Sequence, residues 1–275
     1  MCFPGRKWPE KQERFGENIY MNRIRRVLES LTIVKNKFEA ICYLMGISSG
    51  KDITFFIEGD ITLKVKGDRK NRTIFYTIHE IFKKCIYPVS VNQPQTIIDA
   101  GAQIGGFTVY ALKRSPMSVV YSVEPDPDNY SYLIENIKIN GYEKKAKPIN
   151  RAIYSKTTSI QFNQNNDSTR AGSIFDKGHK QITVKTITLK DIFTEYNIDK
   201  CDVLKMDIEG AEYEAIYKCP REILKKINKM FIECHAIDDK AENNIHGMKN
   251  YLRSNGFVIT DEADSVITAI NADQM

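Results

Sequence analysis

The sequence of 275 residues has no long apolar run, only six cysteines and a single tryptophan. No stretch approaches the roughly 18 consecutive apolar residues of a membrane-spanning helix, which argues against a transmembrane protein. Residues 1–9 lack the apolar core of a secretory signal, so we expect a cytoplasmic location. The cysteines include no Cys-x-x-Cys pair, so the sequence predicts neither a metal cluster nor a disulfide framework.

The chain also lacks a strong excess of charge of either sign. Its net charge is +5, and the basic residues are mixed with acidic ones, so nucleic acid is not an expected partner. An acidic or phosphorylated small substrate remains compatible with this charge. With 42% hydrophobic and 27% charged residues, the chain can bury one α/β core and carry a smaller extension.

The extension is predicted to be residues 1–93, packed on a core domain of residues 94–275. Apolar side chains recur at steps of three and four over residues 22–45, which predicts one amphipathic helix. Its apolar face needs a cover, supplied by its own domain, by a second copy in a homodimer, or by a membrane surface. Residues 53–66 predict a β-hairpin that turns at Glu58-Gly59-Asp60.

A glycine-rich turn follows the first predicted core strand. The apolar run from Thr96 brings Asp99 to its end, and the chain then passes Gly101 and Gly105 before a helical stretch. Glycine allows close approach of a ligand to the backbone, and the N–H groups at a helix start point at that ligand. In open α/β sheets this is where nucleotide-like ligands bind.

A second acidic residue ends the next predicted strand. Glu124 follows the apolar run over residues 119–123, at the position where a ribose diol is bound in such sheets. Asp126 and Pro127 then predict a capped helix start. The Asp-x-Gly-x-x-x-Gly spacing differs from the Gly-x-Gly-x-x-Gly of dinucleotide sites, which favours an amine-bearing ligand near Asp99.

Ionisable residues also end two later strands, over residues 201–206 and 229–232. Asp207, Glu209, Glu212 and His235 should therefore line the same crevice as Asp99. His235 or Asp207 could remove a proton from a hydroxyl. The acids could instead cap a helix or pair with a lysine. A divalent ion is conceivable on oxygen and imidazole ligands, but the spacing does not demand one, so we expect no metal.

Four segments together resemble the successive motifs of FkbM-type methyltransferases, within the class I S-adenosylmethionine (SAM)-dependent fold. They are Ile98-Asp99-Ala100-Gly101-Ala102-Gln103-Ile104-Gly105, Val123-Glu124-Pro125-Asp126-Pro127, Leu204-Lys205-Met206-Asp207-Ile208-Glu209-Gly210-Ala211-Glu212 and Ile232-Glu233-Cys234-His235. The resemblance covers roughly residues 75–270. Gln103 stands where the family usually has asparagine, and we expect this amide to keep the turn.

The resemblance implies an α/β fold: a doubly wound, mostly parallel seven-stranded Rossmann-like methyltransferase sheet with an N-terminal helix and β-hairpin extension. It implies SAM as cofactor and transfer of methyl to a hydroxyl of a sugar, glycan or secondary metabolite. The implied catalytic residues are Asp207, His235 and Glu209. The implied cofactor-binding residues are Asp99, Gly101, Ala102, Gln103, Gly105, Glu124, Pro125, Arg151, Ala152 and Asp207, with Asp99 at the methionine amine and Arg151-Ala152 near adenine.

Two other functions remain open from the sequence. One is a nicotinamide-dependent oxidoreductase of similar architecture, which the missing third glycine disfavours. The other is a non-catalytic SAM-binding or interaction protein, for which Gln103 and the N-terminal helix give slight support. The acceptor itself cannot be ranked, because acceptor walls come from loops and from the extension.

Overall fold

The structure, a computed structural model, describes residues 19–47, 51–67, 73–164, 180–238, 240–262 and 266–275. The chain divides into two compact units, Met1–Pro88 and Val89–Met275. Among the helices of the described residues, none combines the length and the apolar character needed to cross a bilayer. Four cysteines, Cys42, Cys201, Cys219 and Cys234, are free thiols, whereas Cys85 is disulfide-bonded.

The N-terminal unit combines helices with one hairpin. Its elements are α1 (Ile19–Ile33), α2 (Lys37–Leu44), β1 (Ile53–Ile57), β2 (Ile61–Val65), α3 (Thr73–Ile78) and a π-helical turn at His79–Lys84. Strands β1 and β2 pair antiparallel, which confirms the predicted hairpin. The rings of Tyr43, Phe55 and Phe75 pack at centroid distances of 5.4 to 6.1 Å and form the centre of its core.

The prediction of one continuous helix over residues 22–45 was wrong, because the chain leaves the helix between α1 and α2. Val34 forms a β-bridge with Ile57, and the Lys35 N–H donates to the Phe56 carbonyl at 2.7 Å. The Asn36 side chain accepts from the Phe56 N–H at 2.9 Å. Backbone groups that a helix would pair internally bond to the hairpin instead, and tertiary contacts override the periodic pattern.

The second unit is built on a seven-stranded sheet. Its strands and those of a smaller sheet are β3 (Thr96–Ala100), β4 (Val119–Val123), β5 (Ala146–Ile149), β6 (Ala152–Ile153), β7 (Ser159–Gln164), β8 (Lys180–Ile187), β9 (Cys201–Met206), β10 (Ile227–Glu233), β11 (Phe257–Glu262) and β12 (Val266–Asn271). The large sheet has the order β11-β12-β10-β9-β3-β4-β5, and β12 pairs antiparallel with both of its neighbours. The predicted mostly parallel seven-stranded sheet is confirmed.

Helices connect and cover these strands. They are α4 (Gly106–Arg114), α5 (Pro127–Ile139), α6 (Leu189–Glu195), α7 (Glu212–Tyr217), α8 (Arg221–Leu224) and α9 (Ile245–Ser254). The predicted start of α5 is confirmed, since the Asp126 side chain accepts from the N–H groups of Asp128 and Asn129, and Pro127 follows it. Strands β6, β8 and β7 form a separate three-stranded sheet in that order.

The central strands explain where the candidate site lies. Strands β3 and β9 are buried along nearly their whole length and read as apolar runs, as expected for parallel strands covered on both faces. They pair in a register that sets Asp99 opposite Lys205. Because the carboxyl ends of parallel strands meet at one edge, the residues that follow β3, β4, β9 and β10 share that edge.

Candidate functional site

The turn after β3 packs backbone against backbone on the end of β9. Gly101 has φ +76°, and a Cβ there would lie 1.8 Å from the Asp207 carbonyl oxygen. The N–H groups of Gly101 and Ala102 both donate to the Val123 carbonyl at 3.0 Å. Glycine is therefore required at position 101 for two reasons, its positive φ and the lack of space for any side chain.

The Glu124 carboxylate accepts hydrogen bonds from the main chain of this turn and from the start of α5. The Gln103 N–H donates to Glu124 Oε2 at 2.8 Å, and the Asp126 N–H donates to Oε1 at 2.9 Å. Glu124 is only 4% exposed. Burial raises the pKa of this carboxyl to about 7, although the two N–H donors favour the charged form. The Asn129 side chain is a third donor to this carboxylate. A carboxylate has about four acceptor positions, so it can still accept from a ligand hydroxyl.

A cleft with about 460 Å³ of free space, part of it open to solvent, runs along this edge of the sheet. Its lining has an acidic part and an apolar part. The acidic part contains Glu124, Asp207 and Glu209, and the apolar part contains Ala152, Ile153 and Phe162. Gly101, Gln103, Val123, Pro125, Ile208 and Ala211 complete the lining.

Asp99 lies beneath the cleft and is not among its lining residues. It is fully buried, accepts a hydrogen bond from Thr108 Oγ1 at 2.7 Å, and has its other oxygen 3.5 Å from Lys205 Nζ. Burial raises the pKa of Asp99, while Lys205 and Thr108 act in the opposite direction. This placement does not favour the expected contact of Asp99 with a ligand amine, because both oxygens face side chains of the protein interior.

Three further residues expected to touch the cofactor lie outside the lining. Arg151 forms a surface pair with Glu195 at 2.9 Å, so only its neighbour Ala152 faces the cleft. Ala102 is buried, and its N–H donates to the Val123 carbonyl of β4. Gly105 begins α4 with φ +89°, and a Cβ there would lie 2.8 Å from a Leu133 methyl group of α5. The lack of a side chain at Gly105 therefore allows α4 and α5 to pack closely.

Phe162 and Ile153 were missed by sequence reasoning. Both belong to the smaller sheet, where Phe162 packs with Ala152 and Val184 in a small apolar cluster. The Gln164 amide donates to Asp126 Oδ2 at 3.0 Å, which ties β7 to the start of α5 beside Glu124. The alternation of residues along β7 could have predicted a strand, but no local signal shows that this strand borders the site.

Lys205 was also missed as a site residue. This lysine of β9 is 4% exposed, and its Nζ donates to the Gly101 carbonyl at 2.8 Å. The ammonium lies 3.5 Å from Asp99 Oδ1 and 3.8 Å from Asp207 Oδ2. Burial by itself would lower the pKa of Lys205, but these two carboxylates raise it above the usual value, so the side chain stays charged.

His235 is not among the lining residues, but it stands among three carboxylates, two of which, Asp207 and Glu209, line the cleft. Its Nδ1 lies 2.8 Å from Glu212 Oε1, and its Nε2 lies 3.6 Å from Glu209 Oε2 and 4.0 Å from Asp207 Oδ1. Glu212 is fully buried and also accepts from the Ile208 N–H at 3.3 Å. Glu209 adopts a left-handed backbone with φ +53°, an unusual conformation that clusters at functional sites.

The charges of this cluster change the roles assigned to its members. Burial by itself would lower the pKa of His235, but Glu212, Glu209 and Asp207 raise it to about 10. The imidazole is therefore protonated near neutral pH and has no lone pair with which to accept a proton, which argues against His235 as general base. Burial, helped by the charge of Asp207, raises the pKa of Glu209 to about 7. That value suits a general base.

The same cluster has ligand atoms that could hold a cation. One ligand atom each from Asp207, Glu209 and His235 lies within 4.8 Å of the others. Carboxylate oxygens with an imidazole suit several divalent metals. The expectation that the protein works without a metal remains a prediction.

Comparisons with known proteins fit this geometry. The model of the family described as Methyltransferase FkbM domain matches residues 99–259, more than half of the chain. Methyltransferase 1 of Beauveria bassiana is 26% identical over 207 residues, covering 66% of this chain and 80% of that protein. Hexuronic acid methyltransferase AglP of Haloferax volcanii is 27% identical over 150 residues, covering 54% of this chain and 60% of that protein.

Similarity also extends to solved structures. The crystal structure of Methyltransferase FkbM from Methylobacillus flagellatus aligns with 90% of this chain and with 59% of its own chain, at 14% sequence identity and a TM-score of 0.49.

Proposed function

This chain belongs to the FkbM family of methyltransferases, and on that premise we propose that it transfers the methyl group of SAM to a hydroxyl oxygen of its acceptor. The observation that carries the proposal is the cleft itself. Its free space runs from Glu124, suited to a ribose, to Asp207 and Glu209, suited to a cationic sulfonium and a reacting hydroxyl. The methyltransferase activity follows from the family, and the oxygen acceptor is our proposal.

We assign the nucleoside half of SAM to the side of the cleft near Glu124. The remaining acceptor capacity of the Glu124 carboxylate is available to the ribose diol. The apolar surfaces of Ala152, Ile153 and Phe162 are suited to the adenine ring. Gly101, Gln103 and Pro125 line the turn against which the rest of the cofactor would lie. Asp99 supports this turn from below and makes no contact with the ligand.

The chemistry is an in-line displacement. A lone pair of the acceptor oxygen forms the new O–CH₃ bond while the C–S bond breaks, and the sulfur leaves with that electron pair as neutral S-adenosylhomocysteine (SAH). The acceptor's hydroxyl proton passes to the Glu209 carboxylate. Asp207, beside it, is placed to balance the positive sulfonium. The protein contributes mainly by holding donor and acceptor in line and by accepting the proton.

The acceptor class is a sugar, a glycan or a secondary metabolite. The FkbM family supports this class, as does the similarity to AglP of Haloferax volcanii, a hexuronic acid methyltransferase. We further propose a cytoplasmic location, and that nucleic acid is not a substrate. The homodimer through α1 and α2 and the packing of residues 1–93 on the core stay predictions.

Calorimetric titration of SAH tests the pocket. We expect the wild-type chain to bind SAH, Glu124→Ala to lose most of the affinity, and Glu143→Ala to match wild type, because Glu143 is exposed and outside the cleft. Unchanged affinity in Glu124→Ala would reject the pocket. Incubation of cell extracts with a labelled methyl donor, followed by mass spectrometry, then identifies the acceptor. Binding of a nicotinamide cofactor instead of SAH would favour the oxidoreductase.

A further inference from the structure

Lys205 is a buried cation that the methyl-transfer chemistry above leaves without a role. A charged side chain inside a protein core is costly unless it is paired and hydrogen-bonded. Lys205 meets both conditions, with carboxylates on two sides and a carbonyl oxygen in hydrogen-bond contact. The carboxylates explain why the charge is tolerated. They do not explain why the ammonium reaches a main-chain carbonyl of the cofactor turn.

Two consecutive peptide groups of this turn are held at both ends. In the Ala100–Gly101 peptide, the carbonyl accepts from the Asp207 N–H at 3.1 Å and the N–H donates to the Val123 carbonyl at 3.0 Å. In the Gly101–Ala102 peptide, the N–H donates to the same carbonyl at 3.0 Å, and the carbonyl accepts from Lys205 Nζ at 2.8 Å. Three of these four bonds come from the main chain, and Lys205 supplies the fourth. Its Nζ also reaches the Ala100 carbonyl, at the longer distance of 3.5 Å.

The orientation of the second peptide decides where the cleft wall lies. The following N–H groups depend on it, including that of Gln103, which bonds to Glu124. Gly101 has no Cβ to restrict its backbone, so an unheld Gly101–Ala102 peptide can rotate. We propose that Lys205 is a positioning residue, which holds the Gly101 carbonyl and thereby fixes the turn that binds the methyl donor. This inference rests on the proposed function, because it concerns the same cofactor site.

Substitutions can separate the two roles of Lys205, as charge partner of Asp99 and as hydrogen-bond donor to the Gly101 carbonyl. Lys205→Met removes both the charge partner of Asp99 and the bond to Gly101. The double variant Asp99→Asn/Lys205→Met also removes the buried carboxylate, and neutral replacement of both members of a buried ion pair is often tolerated. The double variant should therefore regain stability, while the Gly101 carbonyl still lacks its donor. A purely structural role predicts that stability and cofactor affinity recover together.

The experiment uses the full chain, with SAH titrated by calorimetry at a temperature where circular dichroism shows each variant to be folded. We expect Lys205→Met and the double variant to bind SAH at least tenfold more weakly than wild type. Asp99→Asn should stay within about threefold, because Lys205 still reaches Gly101. Lys249→Met is the matched control, since Lys249 is also buried in this unit, on α9 and outside the cleft lining. It should bind as wild type does.

Several results would overturn the inference. These are wild-type affinity in folded Lys205→Met, recovery of affinity together with melting temperature in the double variant, or an equal loss of affinity in Asp99→Asn. If Lys205→Met does not fold, the double variant decides the question by the same criterion. If the wild-type chain does not bind SAH, the proposed function itself is contradicted. The titration of the wild-type chain alone distinguishes that outcome from failure of the present inference.

Discussion

The two sides of the cleft are built from different chemical groups. On the donor side, the turn over residues 101–105 uses main-chain N–H and carbonyl groups, and only Glu124 contributes a charge to the lining. On the acceptor side, Asp207 and Glu209 line the cleft beside His235 and Glu212, and the charges of this cluster contribute to the raised pKa values of Glu209 and His235. The donor side therefore depends on backbone shape, while the acceptor side depends on charge. Substitutions can test this difference from each side.

The largest effect is expected from Gly101→Ala. Its Cβ would lie 1.8 Å from a main-chain oxygen, and φ +76° is strained for alanine. We expect a loss of about 3–5 kcal/mol in the free energy of unfolding and loss of SAH binding. Gly141→Ala is the matched control, because Gly141 has φ +75° and open space around it. It should cost about 1–2 kcal/mol and leave binding unchanged. Urea denaturation and calorimetry measure both.

On the acceptor side, Glu209→Gln should slow turnover by about 10²–10³-fold, because the proton acceptor is lost. SAH affinity should change little, since the glutamine keeps the shape of the side chain. Glu214→Gln is the control, because Glu214 lies nearby, in the first turn of α7, but does not line the cleft. This variant should turn over as wild type does. Steady-state kinetics with the identified acceptor give the answer. Equal turnover in Glu209→Gln and wild type would remove Glu209 as the base.

Replacing Glu124 by glutamine should weaken SAH binding by about tenfold or more, because one ribose hydroxyl loses a charged acceptor. Wild-type affinity should fall as the pH drops below about 7, where the Glu124 carboxyl gains a proton. The affinity of Glu124→Gln should vary less over the same range. Calorimetry between pH 5.5 and 8 tests this, and parallel pH profiles for the two proteins would contradict it.

Glu124 should also make the free energy of unfolding depend on pH. Its pKa is about 7 in the folded chain and near the ordinary glutamate value of 4.5 in the unfolded chain, so the folded state binds more protons between these values. Stability therefore falls as the pH rises from about 4.5 to 7, by at most about 1.4 kcal/mol per pH unit from this group. Comparing urea denaturation of wild type and Glu124→Gln across this window isolates the contribution, and identical slopes would contradict the assigned pKa.

The smallest effect is expected at the apolar end of the donor side. Phe162→Ala should weaken SAH binding by about five- to tenfold, because the proposed adenine surface is lost. Ile160→Ala is the control. Ile160 also lies on β7 and packs against the apolar cluster that contains Phe162, but it does not line the cleft. Both variants should lose stability, but only Phe162→Ala should lose affinity. Equal affinities in the two variants would place adenine elsewhere.

The core sheet and the donor side were largely predictable because their signals are local. Apolar runs ending in acids predict parallel strands, and glycines that need positive φ or close approach stand in the sequence as glycines. The N-terminal helix was predicted as one piece, because periodicity does not report that residues 34–36 bond to a hairpin.

The acceptor side was predictable in its members but not in their charges. His235 was a reasonable base from its residue type, yet its protonation depends on three carboxylates that converge only in the folded chain. Lys205 and Phe162 were missed for a related reason. One looks like a polar interruption in an apolar strand, and the other lies on a sheet whose position beside the cleft no sequence pattern encodes.

A crystal structure of the chain with SAH bound tests the central claim most directly. We expect the ribose hydroxyls within hydrogen-bond distance of the Glu124 carboxylate, the adenine against Phe162, and the sulfur directed toward Asp207 and Glu209. SAH bound elsewhere on the chain, or lying in the cleft without contact to Glu124, would contradict it.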